Sequence, residues 1–460
     1  MSGFKLIVIG AGLAGSLLSN GLLQNEIDFI VYESDPESAQ REGYQIRLGA
    51  PAIAGFKACL QEDQLTKLYP MFGRSGGVIS SAPALYDEKL NLLLDLPKFP
   101  AYTKSAPINR AILRDFLASP VAVAGKIRYG RRFAGYRSVN GASGTKVVVS
   151  FDDGSEDECD LLISAEGTSS RVNRQIGLNN IVQLTRQWNF LAKGNLPPST
   201  LLKLGPEIQR APMSVLCNGM ILFISAYLPD GYKDEPRSDK DGNKNLDYDA
   251  DIASIFWSLS VPADRVPKNG AQGISNKLDF CVDQIRDWDP RYHDMLRSIG
   301  EESINVFQAR ASKEPPKHWR QKVKSPEDPN LGNDHVWLLG DAIHCMLPSR
   351  GMGGNQAMCD TADLLPVIKN LAQKAEAGGL SDEDFSIAVT EYESRMFPRA
   401  FGWVRTSGGT GDKGPPEMSG ISGRILLFFM ARALDLAYVY SIAQRLFGYS
   451  PPDDAPELPN

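Results

Sequence analysis

An apolar run, Phe4–Ile9, is followed by Leu13, Leu17, Leu18 and Leu22 at helical spacing within Gly12–Asn25, and then by a second run, Phe29–Glu33. This succession predicts a strand, a helix and a strand joined as a βαβ unit. Ser105-Ala106-Pro107 predicts a helix cap with proline in the first turn, the helix running to about Ala118. Lys146–Phe151 and Cys159–Ser164 read as strands. From about residue 183 the pattern shortens into β-period runs. The clearest are the two flanking Asn218-Gly219, a dipeptide suited to a two-residue hairpin turn. Ala253–Val261 and Ser303–Arg310 read as further strands, and Asp230–Asp251 as a polar surface loop. The segment HVWLLGD predicts a buried strand ending at Asp341, and Asn355–Ala375 a long helix. The remaining eighty-odd residues read as mostly helical, with a Pro-rich acidic tail from Ser450. Arg424–Phe447 is strongly apolar, but Arg424, Arg432, Asp435 and Arg445 interrupt it. A membrane span needs about twenty uninterrupted apolar residues. The pattern therefore favours a packed or amphipathic helix over membrane contact. No repeat of fixed period is present.

Composition narrows the class without choosing a chemistry. A chain of 460 residues with 42% apolar and 23% charged residues can bury a large core divided into two or three units. A net charge of -6 and the lack of basic stretches interleaved with aromatics argue against a nucleic-acid partner. Six cysteines and four histidines are scattered without metal-ligand spacing, which fits a reducing compartment and no metal site. His344 lies close after Asp341, but His293, His318 and His335 offer no matching spacing, and Cys345 and Cys359 read as small packing residues. The first residues enter a strand without a secretory pattern, so the cytoplasm is the expected location. Monomer and homodimer are both compatible with this reading.

Three segments carry candidate chemistry. Gly10-Ala11-Gly12-Leu13-Ala14-Gly15 follows a strand and opens a helix, and Glu33 ends the next strand. Glycines permit the tight turn and close approach to a pyrophosphate, the helix N-terminus offers unpaired N–H groups, and the acid is placed for ribose hydroxyls. This much leaves NAD and FAD open. The second segment, Cys159–Gly177, is a strand ending in small residues and Glu166, then a Ser/Thr turn into a helix. In the third, a strand delivers Gly340-Asp341, and Pro348, Gly351, Gly353, Gly354 and Asn355 lead into another helix. An acid at the strand end suits a ribitol or ribose hydroxyl, and a second Gly-rich helix start can stabilise charge on a reduced flavin.

Taken together these segments resemble the single-component FAD-dependent aromatic hydroxylases built on the p-hydroxybenzoate hydroxylase fold. The glycine loop with Glu33 resembles the family's ADP-binding fingerprint, Gly340-Asp341 with Pro348 its second FAD motif, and SAEGTSSRVNR its motif touching both FAD and NAD(P)H. INRAILRDFL places Arg110 where the family carries an arginine beside the FAD phosphates, and GYQIRLGAPAIAGF, with Arg47, resembles its loop beside the flavin. Glu166 stands where the family usually has aspartate, and Asn173 replaces its arginine. Arg350 is a bulky cation where many relatives carry a small residue, suggesting a polar ligand at the flavin face.

The resemblance implies an α/β fold. A Rossmann-like FAD domain would comprise 1–75, 101–182 and 331–375, a β-rich substrate domain 76–100 and 183–330, and a C-terminal helical region 376–460. It implies FAD as cofactor, NADPH or NADH as electron donor, and O2 as co-substrate. One oxygen atom would pass through a flavin hydroperoxide to an electron-rich aromatic or polycyclic small molecule of secondary metabolism. Arg47 and Arg186 are the candidate cations for stabilising a phenolate. A flavin oxidase, a reductase, a halogenase-like enzyme and a non-catalytic redox sensor are the competing readings. The sequence lacks the WxWxIP tryptophan motif, which weighs against a halogenase.

Overall fold

A computed structural model describes residues 4–39, 45–72, 83–96, 105–141, 144–227, 253–411 and 421–448. The expected 230–251 loop and the tail from 450 lie outside the described residues. At the centre is a five-stranded parallel sheet in the order Val336–Leu338, Leu161–Ser164, Lys5–Ile9, Asp28–Tyr32, Ile127–Arg128. Its middle strands are almost wholly apolar because both faces are covered. The helix Leu13–Gln24 joins the first two strands in sequence, as the βαβ pattern requires.

A seven-stranded sheet forms the second layer, in the order Asn305–Phe307, Gln187–Leu196, Ala253–Pro262, Met220–Tyr227, Met213–Cys217, Ala84–Tyr86, Leu92–Asp95. Ala253–Pro262 alternates strictly between buried and half-buried positions, the signature of a sheet with one packed face. Asn218 and Gly219 both have positive φ, 50° and 74°, the backbone that a type I′ hairpin turn demands. Two cores result. One gathers side chains from Phe4 to Phe72, Ala106 to Ile176 and Trp319 to Val404. The other runs from Ala84 to Leu90 and from Phe190 to Ile304. Within the expected 376–460 region, the helix Asp382–Thr406 packs into the first core.

Several sequence expectations are corrected. The helix expected from Ser105 begins instead at Arg110, because Ala106–Asn109 forms an antiparallel ribbon with Gln45–Leu48. The cap is Asn109, whose Oδ1 accepts from the N–H groups of Ala111 and Ile112 at 2.8 and 3.1 Å. Ser303–Arg310 is not one strand: Asn305–Phe307 joins the large sheet, while Arg310–Ser312 pairs with Ile181–Gln183. Cys159–Ser164 is likewise divided between two sheets, Cys159 ending a strand of the antiparallel three-stranded sheet. At the break, Asp160 accepts from the Lys5 N–H and from Lys146 Nζ. The C-terminal helix Ile421–Leu446 is packed on one face only, burying Leu427 and Leu434 while Phe429, Leu436 and Val439 stay exposed.

Candidate functional site

The three motif segments, distant in sequence, meet at the C-terminal ends of the parallel strands, where open α/β sheets place their ligands. Gly10 has φ +105°, and a Cβ there would stand 2.6 Å from the Ala165 carbonyl oxygen. A Cβ on Gly15 would stand 2.0 Å from the Gly10 oxygen. A Cβ on Gly340 would lie 2.9 Å from that of Ala357 and 3.9 Å from that of Ala14. These glycines let three loops touch. At Gly12 a Cβ would meet nothing within 4 Å, so the backbone there faces open space. Gly12 is also the N-cap of Leu13–Gln24, and no side chain caps that helix. Half-buried Leu13 and Ala14 form its first turn. A free helix N-terminus bordering open space suits a pyrophosphate.

The carboxylate of buried Glu33 accepts from the Ala11 N–H at 2.9 Å and from the Asp35 N–H at 2.9 Å. It braces the glycine loop at the end of its strand. Arg110, half-buried, opens the helix Arg110–Val123. Its positive charge lies close enough to act on half-buried Asp341, whose carboxyl burial and nearby Asp360 push upward while His344 and Arg110 pull it down, with a net rise. Asp341 Oδ1 would lie 3.7 Å from a Cβ on Gly353, so this acid borders the start of the helix Gly353–Glu376. That helix also begins without a side-chain cap.

Two other expected site residues, Asn355 and Arg47, also hold neighbouring segments together. Asn355 Oδ1 accepts from the Gly49 N–H at 2.8 Å, and its Nδ2 donates to the carbonyls of Arg47 and Gly351 at 2.9 and 3.0 Å. It staples the ribbon carrying Arg47 to the glycine turn, where Gly351 has φ +63°. Arg47 Nε and Nη2 donate to the Ser105 hydroxyl and carbonyl at 3.2 and 2.5 Å. Burial lowers its guanidinium to about 10, which leaves it charged at neutral pH. Pro348 and Gly351 are exposed on the rim, while Gly353 and Gly354 are half-buried. Arg350 Nε donates to the Thr406 carbonyl at 3.0 Å, linking the rim to the helix Asp382–Thr406.

Glu166 folds back on its own loop. Its carboxylate accepts from the hydroxyls of Ser164 and Ser170 at 2.9 and 2.7 Å and from the N–H groups of Arg171 and Val172 at 3.2 and 3.1 Å. Asn173 is buried and donates to Asn180 Oδ1 and the Ala342 carbonyl, both at 2.8 Å. Of the two departures from the family pattern, Asn173 is built into the interior and half-buried Glu166 into its own turn. Arg186 is exposed at the start of Gln187–Leu196, in the other layer. Trp257 of that layer is fully buried in its core.

Sequence reasoning passed over the group that supports Asp341. His344 Nε2 lies 2.6 Å from Asp360 Oδ2, which also accepts from the Gly340 N–H at 2.9 Å. Arg399 donates to Asp360 Oδ1 and Asp363 Oδ2 at 2.8 and 2.7 Å, and to Gln356 Oε1 at 2.6 Å. His344 and Asp360 are both wholly buried. Burial opposes the imidazolium, yet the charge and hydrogen bond of Asp360 prevail and the His344 pKa is raised. Burial likewise opposes the Asp360 carboxylate, and His344 and Arg399 hold it below the ordinary range. The available signal was an acid, Asp360, on the face of the helix that carries Met358, Leu364 and Leu365 inward. No cluster of metal-ligating side chains occurs among the described residues.

The open helix end at Gly12, the braced Glu33, and Asp341 beside a second open helix end together fit the phosphate, ribose and ribityl groups of FAD. The comparisons agree. The FAD binding domain family matches residues 284–382. The dual O-methyltransferase/FAD-dependent monooxygenase elcB of Phaeosphaeria nodorum is 26% identical over 440 residues, covering 87% of this chain but 45% of that protein. This chain therefore spans less than half of that relative. The FAD-dependent monooxygenase adaC of Aspergillus niger is 27% identical over 422 residues, covering 87% of this chain and 91% of that one. A putative FAD-containing monooxygenase from Photorhabdus luminescens aligns with a TM-score of 0.66 at 21% identity, over 88% of this chain and 97% of that one. In its motifs and in these relatives the chain is similar to the FAD-dependent monooxygenases, and its fold is that of p-hydroxybenzoate hydroxylase.

Proposed function

We propose that the protein uses FAD, NADPH or NADH, and O2 to insert one oxygen atom into an electron-rich aromatic or polycyclic secondary metabolite, by hydroxylation or epoxidation. The observation that carries this reading is the meeting of the loops at Gly10–Gly15, Ala165–Glu166 and Gly340–Asp341 around the open space at Gly12. When bound, FAD supplies the redox chemistry that accepts electrons from NAD(P)H and activates oxygen. The chain supplies binding and orientation. The N–H groups of the Gly12 helix start would hold the pyrophosphate, with Arg110 as a nearby cation, and Glu33 would take the ribose hydroxyls through the carboxylate that braces Ala11. Asp341 would hold the ribityl chain, and the N-terminus of Gly353–Glu376 would favour negative charge on the ring.

The substrate side belongs to the seven-stranded sheet. Arg47, still charged after burial, is the better-placed candidate for a phenolate, since its ribbon is stapled by Asn355 to the Gly351 turn, whereas Arg186 is exposed in the other layer.

The test is oxygen incorporation from labelled dioxygen by the purified flavoprotein, with NADPH and NADH in parallel, across phenolic, indole and polyketide substrates. Label in the product, with NAD(P)H oxidation stimulated by that substrate, is the expected result. Product without label assigns an oxidase or reductase, and no stimulated NAD(P)H oxidation across the panel assigns a flavin-binding sensor.

A further inference from the structure

Asp341 is presented by a single turn of helix, Asp341–His344, in which the N–H groups of Ile343 and His344 both donate to the Gly340 carbonyl at 3.0 Å. A helix this short is unstable by itself, because nucleation costs more than one turn returns. One atom outside the turn holds it. Asp360 Oδ2 accepts from the Gly340 N–H at 2.9 Å, before the turn, and from His344 Nε2 at 2.6 Å, at its end, with Asp341 between them. Asp360 Oδ1 accepts from Arg399 at 2.8 Å, and Arg399 also donates to Asp363 Oδ2 at 2.7 Å. The imidazolium, the guanidinium and the two carboxylates form a neutral set. His344 and Asp360 are wholly buried. Buried ions are a poor source of stability, since apolar side chains of similar volume often serve as well or better. Their place on the turn that presents Asp341 points to another purpose.

We infer that Asp360 and His344 are positioning residues for the cofactor: the Asp360 carboxylate fixes the turn that aims Asp341, and the His344 imidazolium keeps the Asp341 carboxylate charged, able to accept from ribityl hydroxyls. This rests on the reading of Asp341 as the group that holds the ribityl chain of FAD. Burial pushes the Asp341 carboxyl up, and protonation would cost it acceptor capacity; His344 and then Arg110 pull it back, while Asp360 opposes them. The other charged groups on elements packed against the turn are engaged elsewhere. Arg399 is bound to Asp360 and Asp363. Arg310 donates to the Thr168 carbonyl and the Ser169 hydroxyl at 3.0 and 2.6 Å, and Arg171 to the Phe133 carbonyl and Asp152 at 2.6 and 3.1 Å. Arg174 is exposed, Glu166 is folded onto its own turn, and Ile181–Gln183 carries no charge. Tyr392, whose hydroxyl donates to the Leu338 carbonyl at 3.1 Å, is kept neutral by burial. The cations acting on Asp341 are therefore His344, three residues on in the same turn, and Arg110 from the helix Arg110–Val123.

The test is the Kd for FAD, by equilibrium dialysis of the purified full chain, for the parent, Asp341→Asn, His344→Asn, Asp360→Asn, and the two double variants that add Asp341→Asn to either of the others. Asp341→Asn is expected to raise Kd at least about tenfold, as loss of a charged hydrogen-bond partner does. His344→Asn and Asp360→Asn are each expected to raise it about tenfold alone and less than about twofold when Asp341→Asn is already present, because they act through that carboxylate. Either cycle suffices if the other variant does not fold. A pH series gives a second reading. FAD affinity of the parent is expected to fall as pH drops through the folded value of the Asp341 carboxyl, and in His344→Asn that fall begins about one pH unit higher, since a cation beside the acid is gone. In Asp341→Asn the fall is absent. Equal loss of affinity with and without Asp341 overturns the inference, as does an acid limb that His344→Asn leaves in place. Asp341→Asn binding FAD like the parent overturns it together with the Asp341 assignment, whereas a parent with no measurable affinity for FAD removes the cofactor reading itself. None of these readouts depends on flavin turnover.

Discussion

At Gly10 the backbone sits at φ +105° with the Ala165 carbonyl 2.6 Å from where a Cβ would stand, so Gly10→Ala is strained twice over. It is expected to cost about 1–3 kcal/mol in denaturant unfolding and to empty the site of flavin. Gly12→Ala separates the two effects. Its Cβ would meet no protein atom within 4 Å, so stability should barely change while the flavin-to-protein ratio falls, because the methyl group enters the space assigned to phosphate. Equal loss of stability in both variants would count against that assignment. His344 gives a pH prediction. Its folded pKa is raised above the unfolded value near 6.5, so its stabilisation is complete below that pH and is lost as pH rises through the folded value. Asp360, lowered from 3.8, contributes above that pH and loses its contribution only as pH falls through its folded value. The pair is therefore strongest between about pH 4 and 6.5. Breaking it with His344→Asn should cost about 3 kcal/mol in that window and less at pH 9. A deficit that stays flat across pH 5–9 would show that His344 is neutral in the folded protein.

At the scale of elements, short helices and loops depend on side chains that the family resemblance assigns to the cofactor. Glu166 was expected at the cofactor; in the fold its carboxylate takes four hydrogen bonds at the start of Arg171–Gln175. Glu166→Ala is accordingly expected to lower unfolding free energy by about 1 kcal/mol. If Tm is unchanged and only reduction by NAD(P)H is slowed, the carboxylate acts on the nucleotide rather than on the helix. Asn355 shows the same economy, tying Arg47 and Gly49 to Gly351 across about three hundred residues of sequence. Asn109 took the cap from Ser105 because the preceding residues gained a ladder with Gln45–Leu48. Such pairings are set by a partner far along the chain.

For the whole molecule, the site lies in the first of two cores, and the loops converging on it come from three stretches of sequence. A ligand bridging them should stabilise the native state by mass action. Added FAD at about a hundredfold over its Kd is expected to raise stability by about 2.7 kcal/mol, read as a higher Tm. AMP in the same excess, spanning only the Gly12 and Glu33 side, is expected to give its own saturable shift at a much higher concentration, because it gains nothing from Asp341. An unchanged Tm with FAD would remove the cofactor assignment.

The sequence by itself determined what is local. The period of Leu13, Leu17 and Leu18, the glycines at 10, 12 and 15, and the turn at Asn218-Gly219 follow from backbone sterics and side-chain spacing within a few residues. They were enough to indicate a dinucleotide site, and with Asp341 and the glycines after it a flavin. Tertiary structure decided what depends on non-local partners. Examples are the division of Ser303–Arg310 between two sheets, the inward turn of Glu166 and Asn173, and the His344–Asp360–Arg399 network beneath Asp341. It also decided that the apolar C-terminal helix presents its widest face outward. Burial, hydrogen-bond satisfaction and charge pairing are properties of surroundings, and one chain read in order does not display its surroundings.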